Sequence, residues 1–194
     1  MIYRFIVFFR AHKDFSVNAL ILSFISLVLI TLLGTNHLSE TNLGVIYILF
    51  GPLVSIGVFA RIFSLDYQHN FAEIITTYNE SKSKIFLIRY TLALFLFLLP
   101  LACGFFFFLL HPGHEEYNIW PQLGATLSAA WVLGSLSMLL AIGAKRYDVG
   151  LLGGFIVFLV VIRIPLSNMI YNLFFPIAAV VFGIVTYCLF RARR

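Results

Sequence analysis

Charge is what this chain has least of. Only 11% of its 194 residues are charged, against 61% hydrophobic. A water-soluble domain of that length needs far more charged surface, so the composition points to an all-α polytopic membrane protein. Cysteine is nearly absent as well. Cys103 and Cys188 lie inside apolar runs and make neither a CxxC pair nor a metal spacing, so both read as small apolar residues. No Gly-rich phosphate loop occurs, which leaves the chain without an ATP site of its own. Histidine stops at His114, so Gly134, Ser135 and Ser137 have no later base of the kind an intramembrane serine protease needs. His111, His114, Glu115 and Glu116 share one polar stretch, for which a solvated loop is a simpler reading than a surface metal site. The reading is therefore of a non-enzyme, with no catalytic or metal residues and no cofactor.

What the chain has in quantity is long uncharged runs. A bilayer core of about 30 Å takes about 20 apolar residues as a helix. Ser16 to Ser39 and Thr41 to Ala60 each qualify, with His37 and Glu40 marking the turn between them. Tyr90 to His114, interrupted by Pro100 and Gly104, gives a third span, and Tyr117 to Ala144 a fourth. The fifth starts after Asp148, or near Lys145, and meets Arg163 after only fourteen uncharged residues. At 1.5 Å per residue those cover about 21 Å, so this span is short and Arg163 snorkels outward. Gly150, Gly153 and Gly154 at its start permit close helix approach. Pro165, Ser167, Asn168 and Asn172 suggest a re-entrant outer segment, because broken backbone at that depth has to be buried in protein. The sixth span runs from about Asn172 to Phe190.

Basic residues orient these spans. With both termini cytoplasmic, Arg163 is the single exterior exception among thirteen Lys and Arg. Clusters of that kind set topology and do not grip phosphate backbones, so nucleic acid is not an expected partner. Residues 1–15 mix Ile2, Phe5, Ile6 and Phe9 with Arg4, Arg10 and Lys13, the pattern of an interfacial helix, and no cleavage site of a leader is read there. The whole of 1–194 is read as one transmembrane domain in a bacterial cytoplasmic membrane.

Between the second and third spans lies a polar stretch, Asp66 to Arg89. Tyr67, Phe71, Ile74, Ile75 and Tyr78 form one apolar stripe at helical spacing, and Asn70 with Glu73 has the spacing of a capping box. Lys82, Lys84 and Arg89 lead into the next span. Such a cytoplasmic helix, assigned to 66–84, is a docking handle for a soluble partner. No charge lies deep in a span to couple an ion, and no filter-like repeat suggests a channel, so energy for transport has to come from another subunit.

This arrangement resembles the permease subunits of type-2 ABC exporters along the whole chain. Its most sequence-like part is the polar stretch, where Glu73, Ile74, Ile75, Thr76, Thr77, Ser81 and Arg89 match the coupling-helix pattern. The pattern's Pro is absent, with Tyr78 and Asn79 near its place, as is the Gly before the acidic residue. The resemblance implies contact of Phe71, Glu73, Ile74, Ile75, Thr76 and Thr77 with a cytoplasmic ABC ATPase that holds ATP and Mg. Arg89 would then anchor the helix base at the lipid headgroups. It further implies a second permease copy, or a related permease, and a translocation path lined by the second and fifth spans. On the second span Tyr47, Phe50, Ser55 and Phe59 follow roughly helical spacing, with Gly51 and Pro52 permitting a kink. An aromatic, uncharged path suits a hydrophobic or amphipathic cargo such as an antibiotic, a peptide or a lipid-like molecule. The competing reading is a six-span docking, sensor or immunity protein that transports nothing.

Overall fold

The computed structural model describes residues 51–64, 81–109, 120–163 and 173–192. Among these the chain is helical, with no strand. The helices are α1 (Gly51–Ser64), α2 (Lys82–Leu109), α3 (Trp120–Ala144), α4 (Tyr147–Val161) and α5 (Phe174–Ala192). Two stretches, Leu123–Ala144 in α3 and Phe174–Ala192 in α5, are long and apolar enough to cross a membrane.

The third expected span began at Tyr90, but α2 starts eight residues earlier, at Lys82. Ser81 accounts for this start. Its hydroxyl accepts the Lys84 backbone N–H at 3.4 Å, the N-cap arrangement that satisfies an orphan donor of the first turn. α2 is also helical through Pro100 and Gly104, where an interruption was expected.

α3 ends in a Schellman motif. Lys145 takes a left-handed backbone at φ 58°, its N–H bonds the Ile142 carbonyl at 3.2 Å, and the Arg146 N–H bonds the Ala141 carbonyl at 3.1 Å. Glycine usually occupies that position, and a lysine there costs on the order of 1 kcal/mol. α4 follows at once. Arg146, extended, stands at its N-cap, and Asp148 in its first turn faces the positive end of the helix dipole. The link between α3 and α4 is thus two residues long.

α3 is the central helix. Its small side chains let neighbours come close, and glycines on α4 complete the fit. A Cβ on Gly150 would stand 2.7 Å from both the Ala141 Cβ and the Ser137 carbonyl, and one on Gly154 would stand 2.8 Å from Ile56. Ser137 pins this seam, its hydroxyl lying 2.7 Å from the Gly150 carbonyl and 3.2 Å from that of Ile56. One side chain thereby ties α1, α3 and α4. Two apolar clusters fill the interior. One joins Ile56, Ala129, Leu133, Phe158 and Ala179, and the other joins Phe59, Phe63, Phe86, Leu96, Met138 and Ile142.

The outward faces are apolar as well. α2 exposes Leu87, Phe95 and Leu98, α4 exposes Leu152, Phe155, Ile156 and Val160, and α5 exposes Phe174, Ile177, Val181 and Ile184. Water is a poor solvent for a continuous surface of that kind, and hydrocarbon is a good one.

Candidate functional site at the basic end of the bundle

Ring and hydrogen-bond contacts gather particular helix ends. Phe63, near the end of α1, packs its ring 5.3 Å from Phe86 in the second turn of α2. Phe86 in turn lies 5.4 Å from Tyr187 and 5.7 Å from Phe190 near the end of α5. The Ser83 and Tyr187 hydroxyls are 2.8 Å apart, and the Lys82 ammonium donates to the Arg191 carbonyl at 3.3 Å. The Arg61 guanidinium sits 5.3 Å over the ring of Tyr147, which joins the end of α1 to the start of α4. The C-termini of α1, α3 and α5 and the N-termini of α2 and α4 therefore meet at one end. Arg61, Lys82, Lys84, Arg89, Lys145, Arg146 and Arg191 all belong to that end, while Arg163 follows the opposite end of α4.

Successive helices thus alternate in direction, and the chain leaves α1 at Ser64 and resumes at Ser81 on the same basic end. Tyr47, Phe50, Phe71, Glu73, Ile74, Ile75, Thr76 and Thr77 lie outside the described residues, as do the 1–15 helix and the proposed re-entrant segment. Ser55, Phe59, Ser81 and Arg89 are described.

Arg89 is buried within the chain. It is 1% exposed, with its guanidinium 5.9 Å over the Phe190 ring. The reason is that α2 starts early, which puts Arg89 two turns inside the helix on the side where the end of α5 covers it. A desolvated cation is costly, and the aromatic face offsets part of that cost. Ser55 and Phe59 are fully buried within this single chain. The Ser55 hydroxyl donates to the Ala130 carbonyl at 2.7 Å, and Phe59 packs edge-on to Tyr90 at 5.7 Å and close against Gly134. Both tie α1 to its neighbours.

Several contributors were not singled out from the sequence. Phe190 covers Arg89 and Tyr187 packs on Phe86, and their i, i+3 spacing on the last apolar run was the available signal. The indole of Trp131 donates to the Tyr90 hydroxyl at 2.6 Å, a cross-helix bond that spacing alone does not reveal. At the α4 corner, Arg146 and Asp148 form an exposed ion pair, with Nε to Oδ1 at 3.0 Å. The hydrogen bond from Arg146 holds the Asp148 carboxyl below its ordinary range, and the same bond raises Arg146.

Chemically, this end offers basic side chains at the rim of an apolar body, with aromatic rings beneath them. That suits anionic or protein partners. Comparison with protein-family models, with curated proteins and with solved structures yields no match to this chain.

Proposed function

We propose that the chain is the permease subunit of an ATP-driven exporter of the type-2 ABC kind. In this reading it crosses the cytoplasmic membrane six times and works with a separate ATPase and a second permease. The observation that carries the reading is the common origin of Ser64 and Ser81 at the basic end. By the positive-inside rule that end faces the cytoplasm, so the polar stretch that joins α1 to α2 starts and finishes where a cytosolic ATPase would stand. Glu73 meets basic residues of the ATPase, and Phe71, Ile74, Ile75, Thr76 and Thr77 supply contact area. Arg89, packed under Phe190, ties the foot of α2 to α5, so a push on the polar stretch reaches two helices together. Closure of the ATPase pair on ATP and Mg then shifts the permeases between two packings. Apart from Arg89 the buried side chains among the described residues are uncharged, which suits a hydrophobic or amphipathic cargo.

The test is co-purification. Glu73→Ala combined with Ile74→Asp is expected to abolish association with the ATPase while membrane insertion stays normal. Unchanged association overturns the docking role. One observation favours a second reading, a docking, sensor or immunity protein without transport. Ser55 and Phe59 are sealed against Ala130, Gly134 and Tyr90 of the same chain, so lining a path requires α1 to separate from α3. Stimulation of ATP hydrolysis by an apolar cargo supports the exporter. Association without stimulation supports the second reading.

A further inference from the structure

Two outward stripes end at the same corner. On α2 one exposed face carries Lys84, Leu87, Thr91, Phe95 and Leu98 at helical spacing. Thr91 spends its hydroxyl on the Leu87 carbonyl at 2.8 Å, so the face below Lys84 presents little free polarity. On α5 one exposed face carries Phe174, Ile177, Val181, Ile184, Cys188 and Arg191. Each stripe is apolar along its length and finishes on one cation at the basic end.

The two helices meet there. Lys82 bonds the Arg191 carbonyl, Ser83 bonds Tyr187, and Phe86 packs on Tyr187 and Phe190. Lys84 and Arg191 thus stand on adjoining helix ends, which the Lys82 bond to the Arg191 carbonyl joins. Among the described residues neither Lys84 nor Arg191 forms an ion pair, whereas Arg146 at the α4 corner is matched by Asp148.

We infer that the α2–α5 corner binds an anionic phospholipid, with its headgroup at Lys84 and Arg191 and its acyl chains along the two apolar stripes. Charge and apolarity here are complementary to that one molecule in both of its parts. A basic pocket between membrane helices on the cytoplasmic side is a recognised way to hold such headgroups. The adjoining aromatic cluster makes the site firm, because Phe86, Tyr187 and Phe190 fix the separation of the two helix ends. The inference needs the chain to be in a membrane, and it does not need the ATPase.

The experiment uses the detergent-purified full chain with no ATPase present. Binding of phosphatidylglycerol and of phosphatidylcholine from mixed micelles is measured by intact-complex mass spectrometry. The expected result is preference for phosphatidylglycerol, lowered about fivefold in Lys84→Ala and again about fivefold in Arg191→Ala, since one basic side chain near a charged headgroup is worth about that much. Arg146→Ala, at the α4 corner, is expected to keep the preference. Both test residues are exposed, so neither substitution opens the core. Glycerophosphoglycerol, the headgroup without acyl chains, is expected to bind far more weakly than the lipid. Equal binding of the two lipids, a preference unchanged in Lys84→Ala and Arg191→Ala, or equal binding of the free headgroup overturns the inference. None of those results depends on the docking of an ATPase, which the co-purification measures separately.

Discussion

α3 and α5 are nearly equal in apolarity, yet the membrane-length stretch of α3 is 61% buried in the protein and that of α5 only 11%. The difference lies in side-chain size. α3 carries Ala125, Ala129, Ala130, Gly134, Ser135, Ser137 and Ala141, which leave room for α1, α4 and α5 to approach its backbone. α5 carries Phe174, Ile177, Val181, Ile184 and Val185, all exposed, with Ala179 and Thr186 buried on its inner side. Hydropathy tells which helices are apolar enough to cross a membrane. The share of small residues tells which of them other helices surround.

That contrast is breakable by substitution. The largest effect is expected at the seam: Gly150→Leu drives a side chain into the Ser137 carbonyl and Ala141, neither of which can give way. It should destabilise by about 3 kcal/mol, read from the unfolding midpoint in mixed micelles. Gly183→Ala on α5 is the counterpart. A Cβ there meets nothing within 4 Å, so the gain in helix propensity should leave stability unchanged or raised by up to about 1 kcal/mol. If Gly183→Ala proves as damaging as Gly150→Leu, the distinction between a central and a peripheral helix fails.

A smaller effect is expected from Ser137→Ala. It removes the hydroxyl at Gly150 and Ile56, both of whose carbonyls are inside helices, so the loss should be about 1 kcal/mol by the same assay. Lys145→Gly runs the other way. Relief of the left-handed lysine should stabilise by about 1 kcal/mol, while the reverse kind of change, Lys145→Val, should destabilise.

The smallest effect is at the α4 corner. Asp148 has its folded pKa depressed, chiefly by the hydrogen bond from Arg146. Its contribution is therefore present above the ordinary carboxylate pKa and is lost as pH falls through the depressed value. Asp148→Asn should remove that small contribution across the neutral range, flatten the acid limb of a pH–stability curve, and leave stability at the acid end unaltered.

Much of the fold was legible from the sequence. The boundary at Ala144 and the shortness of the helix after Asp148 followed from where charge stops and resumes. The role of Gly150 and Gly154 followed from their spacing. The early start of α2 did not, because Lys82 and Lys84 read as a polar lead-in and the Ser81 cap was passed over. The burial of Arg89 was not foreseen for a related reason. A lone arginine near a span boundary reads as interfacial, and the cover that Phe190 provides comes from 101 positions further on. For the site, the grouping of basic residues was readable from alternation alone, whereas the α2–α5 corner depends on which helices adjoin. Periodicity carries no information about that.

The length of α4 has a mechanical meaning for the bilayer around it. Its fifteen residues reach about 22 Å, some 8 Å short of an ordinary hydrocarbon core. In a membrane the lipids beside it would have to pinch inward, and such a dimple costs energy that grows with acyl-chain length. If α4 crosses a bilayer as proposed, thickness becomes a variable the protein feels: short-chain lipids relax the dimple, and long-chain lipids press on a helix held to the centre of the bundle by two glycines, a serine and a two-residue turn.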